Sequence, residues 1–254
     1  MDMIEKLESI GRTDRAPRIP AARLGVAVVS DLVAMIVTGE FEEGELLPPE
    51  QQLCDHFGVS RTVLRESIKR LEEKGLVLVA QGRGTQVTRS DAWNMLDPIV
   101  LSGLIDHDDS LGILDELTVV RATLEATMAG EVARRHTAEE LARVFHVHTA
   151  MSDAERDNDT FRQADVVFHF TVMDLSRNRL AGSIARRLYR RALESARYRG
   201  LAHPGAFELT VEEHGRVVAA IEAGDVAGAE KAMRDHINQG WQRRRMPSRR
   251  PADR

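Results

Sequence analysis

The chain has 254 residues, of which 43% are hydrophobic, 30% are charged and 4% are aromatic, and its formal net charge is −5. This composition indicates an ordinary globular protein with enough apolar residues for one large or two modest domains. The negative charge argues against a protein that coats nucleic acid non-specifically. We find neither a secretory signal nor an apolar run of about 18 residues, and the one cysteine, Cys54, fits a reducing compartment. We therefore expect a cytoplasmic protein without a membrane partner.

The first predicted elements are three helices followed by a β-hairpin. Residues 1–20 lack periodicity and are expected to be a flexible arm, whereas apolar residues recur at helical spacing over residues 22–38. A second helix is predicted over residues 50–57, after which Gly58 and Val59 make a tight turn and Ser60 caps a third helix. Two short strands, over residues 76–80 and 85–88, follow around a Gly-Arg-Gly tip. This order predicts a helix-turn-helix with a β-hairpin behind it, within residues 21–89.

The third helix has two different faces. Its inward face carries Leu64, Ser67, Ile68 and Leu71, and the opposite face carries donors. A helix that presents donors from its first turns fits the major groove of DNA. We therefore predict double-stranded DNA as a partner, with contacts from the donor face and the hairpin tip: Arg61, Thr62, Arg65, Lys69, Gly82, Arg83 and Gly84.

This segment resembles the winged helix-turn-helix of the GntR superfamily of bacterial transcription regulators. The resemblance is carried by Leu47-Pro48, the run from Phe57 to Arg61, Leu64-Arg65-Glu66, Leu71, Gly75-Leu76 and the run from Gly82 to Thr85. It implies that Arg61 and Arg65 contact DNA in the major groove and that the wing tip reaches the minor groove. The family often has a charged residue where this chain has Gln51.

The second half of the chain predicts helices alone. Residues 90–109 are interpreted as a linker with a short helix after Pro98. Every periodic segment from residue 110 onward is helical, and Thr137 with Glu140 forms a capping-box pattern. The fold class is therefore mainly α, with a winged helix-turn-helix followed by an all-α bundle over residues 110–242. The arginine-rich segment 243–254 is expected to be a disordered basic tail.

Three histidines and an aspartate form the second informative pattern. Asp165 and His169 lie four residues apart and share one helix face, while His214 and His236 lie on two other apolar-faced helices. One histidine on such a face is more often a core residue than a ligand. Imidazoles and a carboxylate that converge from facing helices are nevertheless the donors that a divalent metal prefers. Spacing alone does not establish that these four residues converge.

Residues 111–241 resemble the FCD ligand-binding domain of the FadR subfamily of GntR regulators. The matching residues are Val120-Arg121, Leu124-Glu125, the run from Asp165 to His169, Asn178, Glu213-His214 and the run from Met233 to His236. The resemblance implies one divalent metal per subunit, zinc or else nickel or another divalent ion, bound by Asp165, His169, His214 and His236. It also implies that Arg121 grips the carboxylate of an effector and that Asn178 lies near the ligand pocket.

The two resemblances together predict a ligand-responsive transcriptional repressor that binds a palindromic operator as a homodimer. The effector is expected to be a small carboxylate, a sugar acid or hydroxy acid, because the segment from Trp93 to Pro98 resembles that of regulators of such acids. Two alternatives stay open. A metalloenzyme with an attached DNA module could use Glu125 or Glu213 as a base. A metal sensor would take the ion itself as its effector.

Overall fold

The computed structural model of the protein describes residues 21–80, 82–153, 158–199 and 205–245. The predicted flexible arm, 1–20, lies outside these residues. The chain divides into two compact units, with the boundary after Asn94. The predicted fold class is confirmed, since the described part consists of helices with one small antiparallel sheet. No helix among the described residues combines the length and apolar character that crossing a membrane would need.

The first unit contains three α-helices and a hairpin. These elements are α1 (Ala21–Val37), α2 (Glu50–Phe57), α3 (Arg61–Glu73), β1 (Val77–Ala80), β2 (Gly84–Val87) and a 3-10 helix at Ser90–Ala92. Helix α1 packs on α3, and the strands pair with Val77 opposite Val87 and Ala80 opposite Gly84. The core includes Val28, Val29, Leu32, Val33, Ile36, Leu64 and Leu71.

The predicted turn between α2 and α3 has the expected geometry. Gly58 adopts a left-handed conformation with φ of 63°, which a residue with a side chain rarely adopts. Ser60 is extended, and its hydroxyl accepts a hydrogen bond of 3.4 Å from the backbone N–H of Val63. Cys54 is buried in this unit, as expected for a small core residue. The turn and the cap together fix where α3 begins.

The second unit is a bundle of helices. They are α4 (Pro98–His107), α5 (Gly112–Arg135), α6 (Ala138–Ser152), α7 (Asn158–Leu175), α8 (Arg179–Glu194), α9 (Ala196–Arg199), α10 (Ala206–Glu222) and α11 (Val226–Arg245). The Thr137–Glu140 capping box is present at the start of α6. Helix α4 lies within the segment 90–109 predicted to be a linker, and its Leu101 and Ile105 join the core of this unit.

Helix α5 is the centre of the bundle, because α7, α8, α10 and α11 all contact it. Three of these neighbours carry the aspartate and histidines singled out above: α7, α10 and α11. One correction concerns the C-terminus. Helix α11 continues through Arg245, so the first three residues of the predicted disordered tail, 243–245, are helical; residues 246–254 lie outside the described part.

Candidate functional site

Three helices bring Asp165, His169, His214 and His236 together. One ligand atom from each side chain lies within 4.8 Å of those of the other three, and all four residues are buried. The Nε2 atom of His214 is 2.9 Å from Nε2 of His236 and 3.4 Å from Nε2 of His169. The Nε2 atoms of His169 and His236 are 3.2 Å apart. The convergence that the sequence could not establish is therefore present in the structure.

Two buried glutamates set the orientation of two imidazoles. Nδ1 of His169 lies 2.6 Å from Oε2 of Glu125, and Nδ1 of His236 lies 2.9 Å from Oε2 of Glu213. An ionised carboxylate can only accept, so each Nδ1 carries the proton and donates. The lone pair of each ring is then on Nε2, which faces the centre of the cluster.

Both glutamates stay ionised because each has an arginine partner. Burial alone would raise the pKa of Glu125, but the charge of Arg121 and the contact with His169 hold that pKa at about 2. Burial opposes ionisation of Glu213 as well, and hydrogen bonds with His236 and Arg243 lower its pKa to about 2. Nε of Arg121 donates to Oε1 of Glu125 over 2.8 Å. Two arginine–glutamate–histidine chains thus support the cluster.

The donor set fits a divalent ion. Oδ1 of Asp165 is buried and has no hydrogen-bond donor among the described residues, and it lies 3.6 Å from Nε2 of His214. The other oxygen of Asp165 accepts a hydrogen bond from the Tyr189 hydroxyl. Imidazole lone pairs and a carboxylate oxygen that face one another repel unless a cation lies between them. Imidazole with carboxylate suits zinc, nickel and related ions.

Arg121 lies beside this cluster in a small cavity. Its side chain is buried, its Nη1 donates to the Tyr198 hydroxyl over 2.8 Å, and its guanidinium lies 3.6 Å from the centroid of the Tyr189 ring. The cavity that it shares with Asp165, His169 and His236 has a volume of about 10 Å³. This is room for about one water molecule, so a ligand must displace side chains to enter.

Asn178, which the resemblance places near the ligand pocket, is a helix cap in the structure. Asn178 is exposed and caps α8, because its side-chain oxygen accepts a hydrogen bond of 3.1 Å from the backbone N–H of Ala181. It does not line the cavity that contains Arg121. The local sequence explains its role, since asparagine is among the preferred residues at a helix N-terminus.

Several residues of the site have roles that the sequence did not reveal. Glu125 could have been found as a partner of Arg121, because four residues along a helix separate them. Glu213 precedes His214 directly, yet its contacts are with His236 and Arg243. Tyr189 and Tyr198 carry no sequence signal for their positions, because their partners lie far away in the chain.

The predicted DNA-contacting residues lie on α3 and at the hairpin tip of the first unit. Arg61, Thr62, Arg65 and Lys69 are all exposed on α3, and Gly82, Arg83 and Gly84 are exposed at the hairpin tip. The Arg65 guanidinium is held by the Glu50 carboxylate, with 2.5 Å from Nε to Oε1 and 3.0 Å from Nη2 to Oε2. Nη2 of Arg61 donates to Oε1 of Gln51 over 2.8 Å. Helix α2 therefore orients both arginines.

The buried imidazoles make stability depend on pH. Burial, together with repulsion from His236 and His169, holds the pKa of His214 well below its usual range. Burial also lowers the pKa of His236, against its hydrogen bond with Glu213. These two rings stay neutral in the folded chain, whereas the unfolded chain takes up protons below about pH 6.5. The unfolded state then binds more protons, so stability falls as the pH drops below that value.

We expect the free energy of unfolding, measured by urea titration with a chelator present, to fall between about pH 7.5 and about pH 5.5. The decrease below pH 6.5 should reach about 1.4 kcal/mol per pH unit for each such histidine. Glu125 and Glu213 do not contribute in this window, because their pKa values lie at about 2. His214→Gln should show a smaller decrease. Equal free energies of unfolding at the two pH values would contradict the assignment.

Comparisons with known proteins agree with the two-unit architecture. The model of bacterial regulatory proteins, gntR family, matches residues 24–87, and the FCD domain model matches residues 116–239. The chain is 32% identical over 223 residues to the "Putative L-lactate dehydrogenase operon regulatory protein" of Escherichia coli strain K12, covering 85% of this chain and 84% of that protein. It is 30% identical to the HTH-type transcriptional regulator LutR of Bacillus subtilis strain 168, covering 80% and 93%.

The chain is also 30% identical to the galactonate operon transcriptional repressor of Escherichia coli strain K12, covering 81% of this chain and 90% of that protein. Among solved structures, that of Lar, which controls expression of the Listeria monocytogenes agr system, aligns with a TM-score of 0.55 and 16% identity. That alignment covers 90% of this chain and 97% of the other. At this identity it supports the fold alone.

Proposed function

We propose that this chain senses a small organic acid at a divalent metal. The chain belongs to the GntR family of bacterial regulatory proteins and is a ligand-responsive transcriptional regulator with an FCD domain. The family and the relatives named above are transcriptional regulators, which removes the metalloenzyme alternative. One observation carries the proposal. Three Nε2 atoms and an orphaned carboxylate oxygen converge in a buried cluster.

The four residues of that cluster, Asp165, His169, His214 and His236, would hold the ion, with zinc as the first candidate. A bound divalent ion would supply strong positive charge for an acid's carboxylate. Arg121 adjoins the cluster, and its Nη2 has no hydrogen-bond partner among the described residues. That nitrogen would donate to the same carboxylate in a charge-assisted hydrogen bond. A small carboxylate suits this combination of charges.

A sugar acid or hydroxy acid is the effector class that we propose. Two relatives are named for the operons of L-lactate dehydrogenase and of galactonate, and lactate and galactonate are both hydroxy acids. The cavity beside Arg121 also offers the hydroxyls of Tyr198 and Thr210 as partners for a ligand hydroxyl. We propose that the protein is a repressor in the cytoplasm and that binding of the acid releases it from its operator.

Operator recognition in this proposal uses two copies of the first unit, one from each subunit of a homodimer. Arg61 and Arg65, with Thr62 and Lys69, would enter the major groove. The wing tip at Gly82, Arg83 and Gly84 would reach the minor groove. A palindromic operator follows, because the two-fold symmetry of a homodimer is matched by two inverted half-sites.

Arg65→Ala should weaken operator binding by about tenfold or more and relax base preference, because a bidentate arginine–guanine contact is lost. Arg65 is exposed, so the fold should be retained. The measurement is fluorescence anisotropy with labelled operator at fixed salt. Arg70→Ala is the matched control, since Arg70 is exposed on α3 but lies outside the predicted set of DNA-contacting residues. Equal operator affinity for wild type and Arg65→Ala would remove Arg65 from the recognition face.

A thermal-shift screen of carboxylic acids tests the effector proposal. An acid at about 100 times its dissociation constant should stabilise the metal-loaded protein by about 2.7 kcal/mol. The same acid should have little effect on chelator-treated protein, because the metal is part of its site. Equal stabilisation of both preparations, or no stabilisation by any sugar acid or hydroxy acid, would contradict the proposal.

A further inference from the structure

The last turn of α11 carries three consecutive arginines with different surroundings. Arg243 forms two hydrogen bonds with Glu213, of 2.6 and 2.8 Å. Nη2 of Arg245 lies 2.9 Å from Oδ2 of Asp115. Arg244, between them, forms no ion pair with any described residue, although it lines the same cavity as Arg121 and the metal-ligand cluster. Among the described residues, the middle arginine is thus a cation that lines the site and forms no direct ion pair.

Arg244 and Arg121 meet at one phenol oxygen. Nη1 of Arg121 lies 2.8 Å from the Tyr198 hydroxyl, and Nη1 of Arg244 lies 3.5 Å from it. The Arg244 guanidinium also lies 5.1 Å from the centroid of the Tyr198 ring, which stacks on Trp241. These contacts hold a second guanidinium close to the first. Of these two arginines, Arg121 alone has a carboxylate partner among the described residues, Glu125.

The Arg244 guanidinium lies close to the backbone at Gly240 and is charged. A Cβ atom at Gly240 would lie 3.4 Å from Nη1 of Arg244, the lower edge of ordinary van der Waals contact. Burial lowers the pKa of Arg244, but Tyr198, Tyr189 and Asp165 outweigh it and raise that pKa, so the side chain keeps its charge. A charged group in such surroundings is costly unless it is paired. An anionic ligand would supply the missing partner.

The charges around the cavity point to an acid with two negative groups. Three positive charges around the cavity are matched by three negative charges. The positive charges are those of Arg121, Arg243 and Arg244, and the negative charges are those of Glu125, Glu213 and Asp165. A histidine that binds a metal does so as a neutral ligand. A divalent ion would leave this buried site with two uncompensated positive charges. A monocarboxylate would neutralise one of them, whereas a dicarboxylate would neutralise both. Such compensation matters most where water is excluded.

We propose that Arg244 is a specificity-determining residue and that the acid sensed here is a short dicarboxylate, with one carboxylate at Arg121 and the metal-ligand cluster and the second at Arg244. This inference rests on the proposed function, because it specifies the acid of that same site. The acid is short because both guanidinium groups contact one tyrosine oxygen. A hydroxyl on its chain fits the hydroxyl groups of Tyr198 and Thr210 that line the cavity.

The test compares each dicarboxylate with its own monoamide, which has nearly the same shape but one charge fewer. The probes are malate, tartrate and succinate with their monoamides, and lactate is included as a monocarboxylate. Calorimetric titration of the full-length metal-loaded protein should give an affinity for at least one dicarboxylate that is about tenfold or more above that for its monoamide. Arg244→Gln should remove this difference while leaving the affinity for the monoamide within about twofold.

Two further variants complete the test. Arg245→Gln, the matched control, removes a neighbouring arginine of the same turn and should keep the preference for the diacid. Arg244→Lys keeps the positive charge and should show part of the wild-type preference for the diacid. Metal content, measured by elemental analysis, should be equal in all variants. Equal affinities for diacid and monoamide in the wild type, or equal weakening of both by Arg244→Gln, would overturn the inference. Binding of lactate alone would overturn it but leave the proposed function standing, whereas the absence of binding by every sugar acid and hydroxy acid in the thermal-shift screen would overturn both.

Discussion

His214→Ala is expected to abolish binding of a divalent metal. His214 is fully buried, and its Nε2 lies 2.9 Å from Nε2 of His236 and 3.4 Å from Nε2 of His169. Removing it leaves two imidazoles and one carboxylate, with a cavity beside Phe168, on which the ring stacks. The loss of one of four ligands should lower metal affinity by far more than the 10- to 100-fold typical for residues that only orient a ligand.

The measurement is metal content per chain by elemental analysis after dialysis against a weak chelator. We expect about one equivalent in the wild type and none in His214→Ala. His148→Ala is the matched control, because His148 is half-buried on α6 and its Nε2 lies 3.1 Å from the Val211 carbonyl, outside the cluster. It should retain the metal. A full equivalent of metal in His214→Ala would show that the cluster is not the metal site.

Arg121→Met is expected to destabilise the second unit by about 3–5 kcal/mol, because it leaves the buried carboxylate of Glu125 without its charged partner. The side chains of Arg121 and Glu125 are 3% and 1% exposed, so solvent cannot replace the lost interaction. Adding Glu125→Gln removes the uncompensated charge. The double variant should therefore be more stable than Arg121→Met alone.

Urea unfolding with a chelator present measures this effect without a contribution from metal binding. The double-mutant cycle gives the coupling energy between Arg121 and Glu125 directly. Arg216→Met is a suitable control, since Arg216 forms an exposed ion pair with Glu212 at the same four-residue spacing. Its free energy of unfolding should change by less than about 1 kcal/mol. Similar effects of Arg121→Met and Arg216→Met would mean that the buried pair has no structural role.

The sequence predicted the features that depend on local signals. The Gly58 turn, the Ser60 cap and the Thr137–Glu140 capping box are each defined within four residues, and all three are present. The family resemblance, which rests on longer motifs, is confirmed by the matches to the gntR and FCD models. Local chemistry also explains the capping role of Asn178, because asparagine is among the preferred residues at a helix N-terminus.

The features that sequence reasoning missed depend on contacts between distant residues. The hydrogen bond from Arg121 to Tyr198 joins residues 77 positions apart, and that from Trp241 to Asp115 joins residues 126 apart. The arginine-rich end looked like a solvated tail because its composition is charged. Partners on other helices, Glu213 for Arg243 and Asp115 for Arg245, instead extend α11 along the bundle. No local pattern encodes such pairings.

The most direct test of the central claim is operator affinity, measured by anisotropy for metal-loaded and chelator-treated protein with and without the acid. A ligand shifts the DNA equilibrium only through its different affinities for the two arrangements of the protein. We predict that the acid weakens operator binding of the metal-loaded protein by about 5- to 150-fold, the usual range of such coupling, and leaves the chelator-treated protein unchanged. An equal effect of the acid on both preparations, or a full change in affinity on adding metal without acid, would contradict the account.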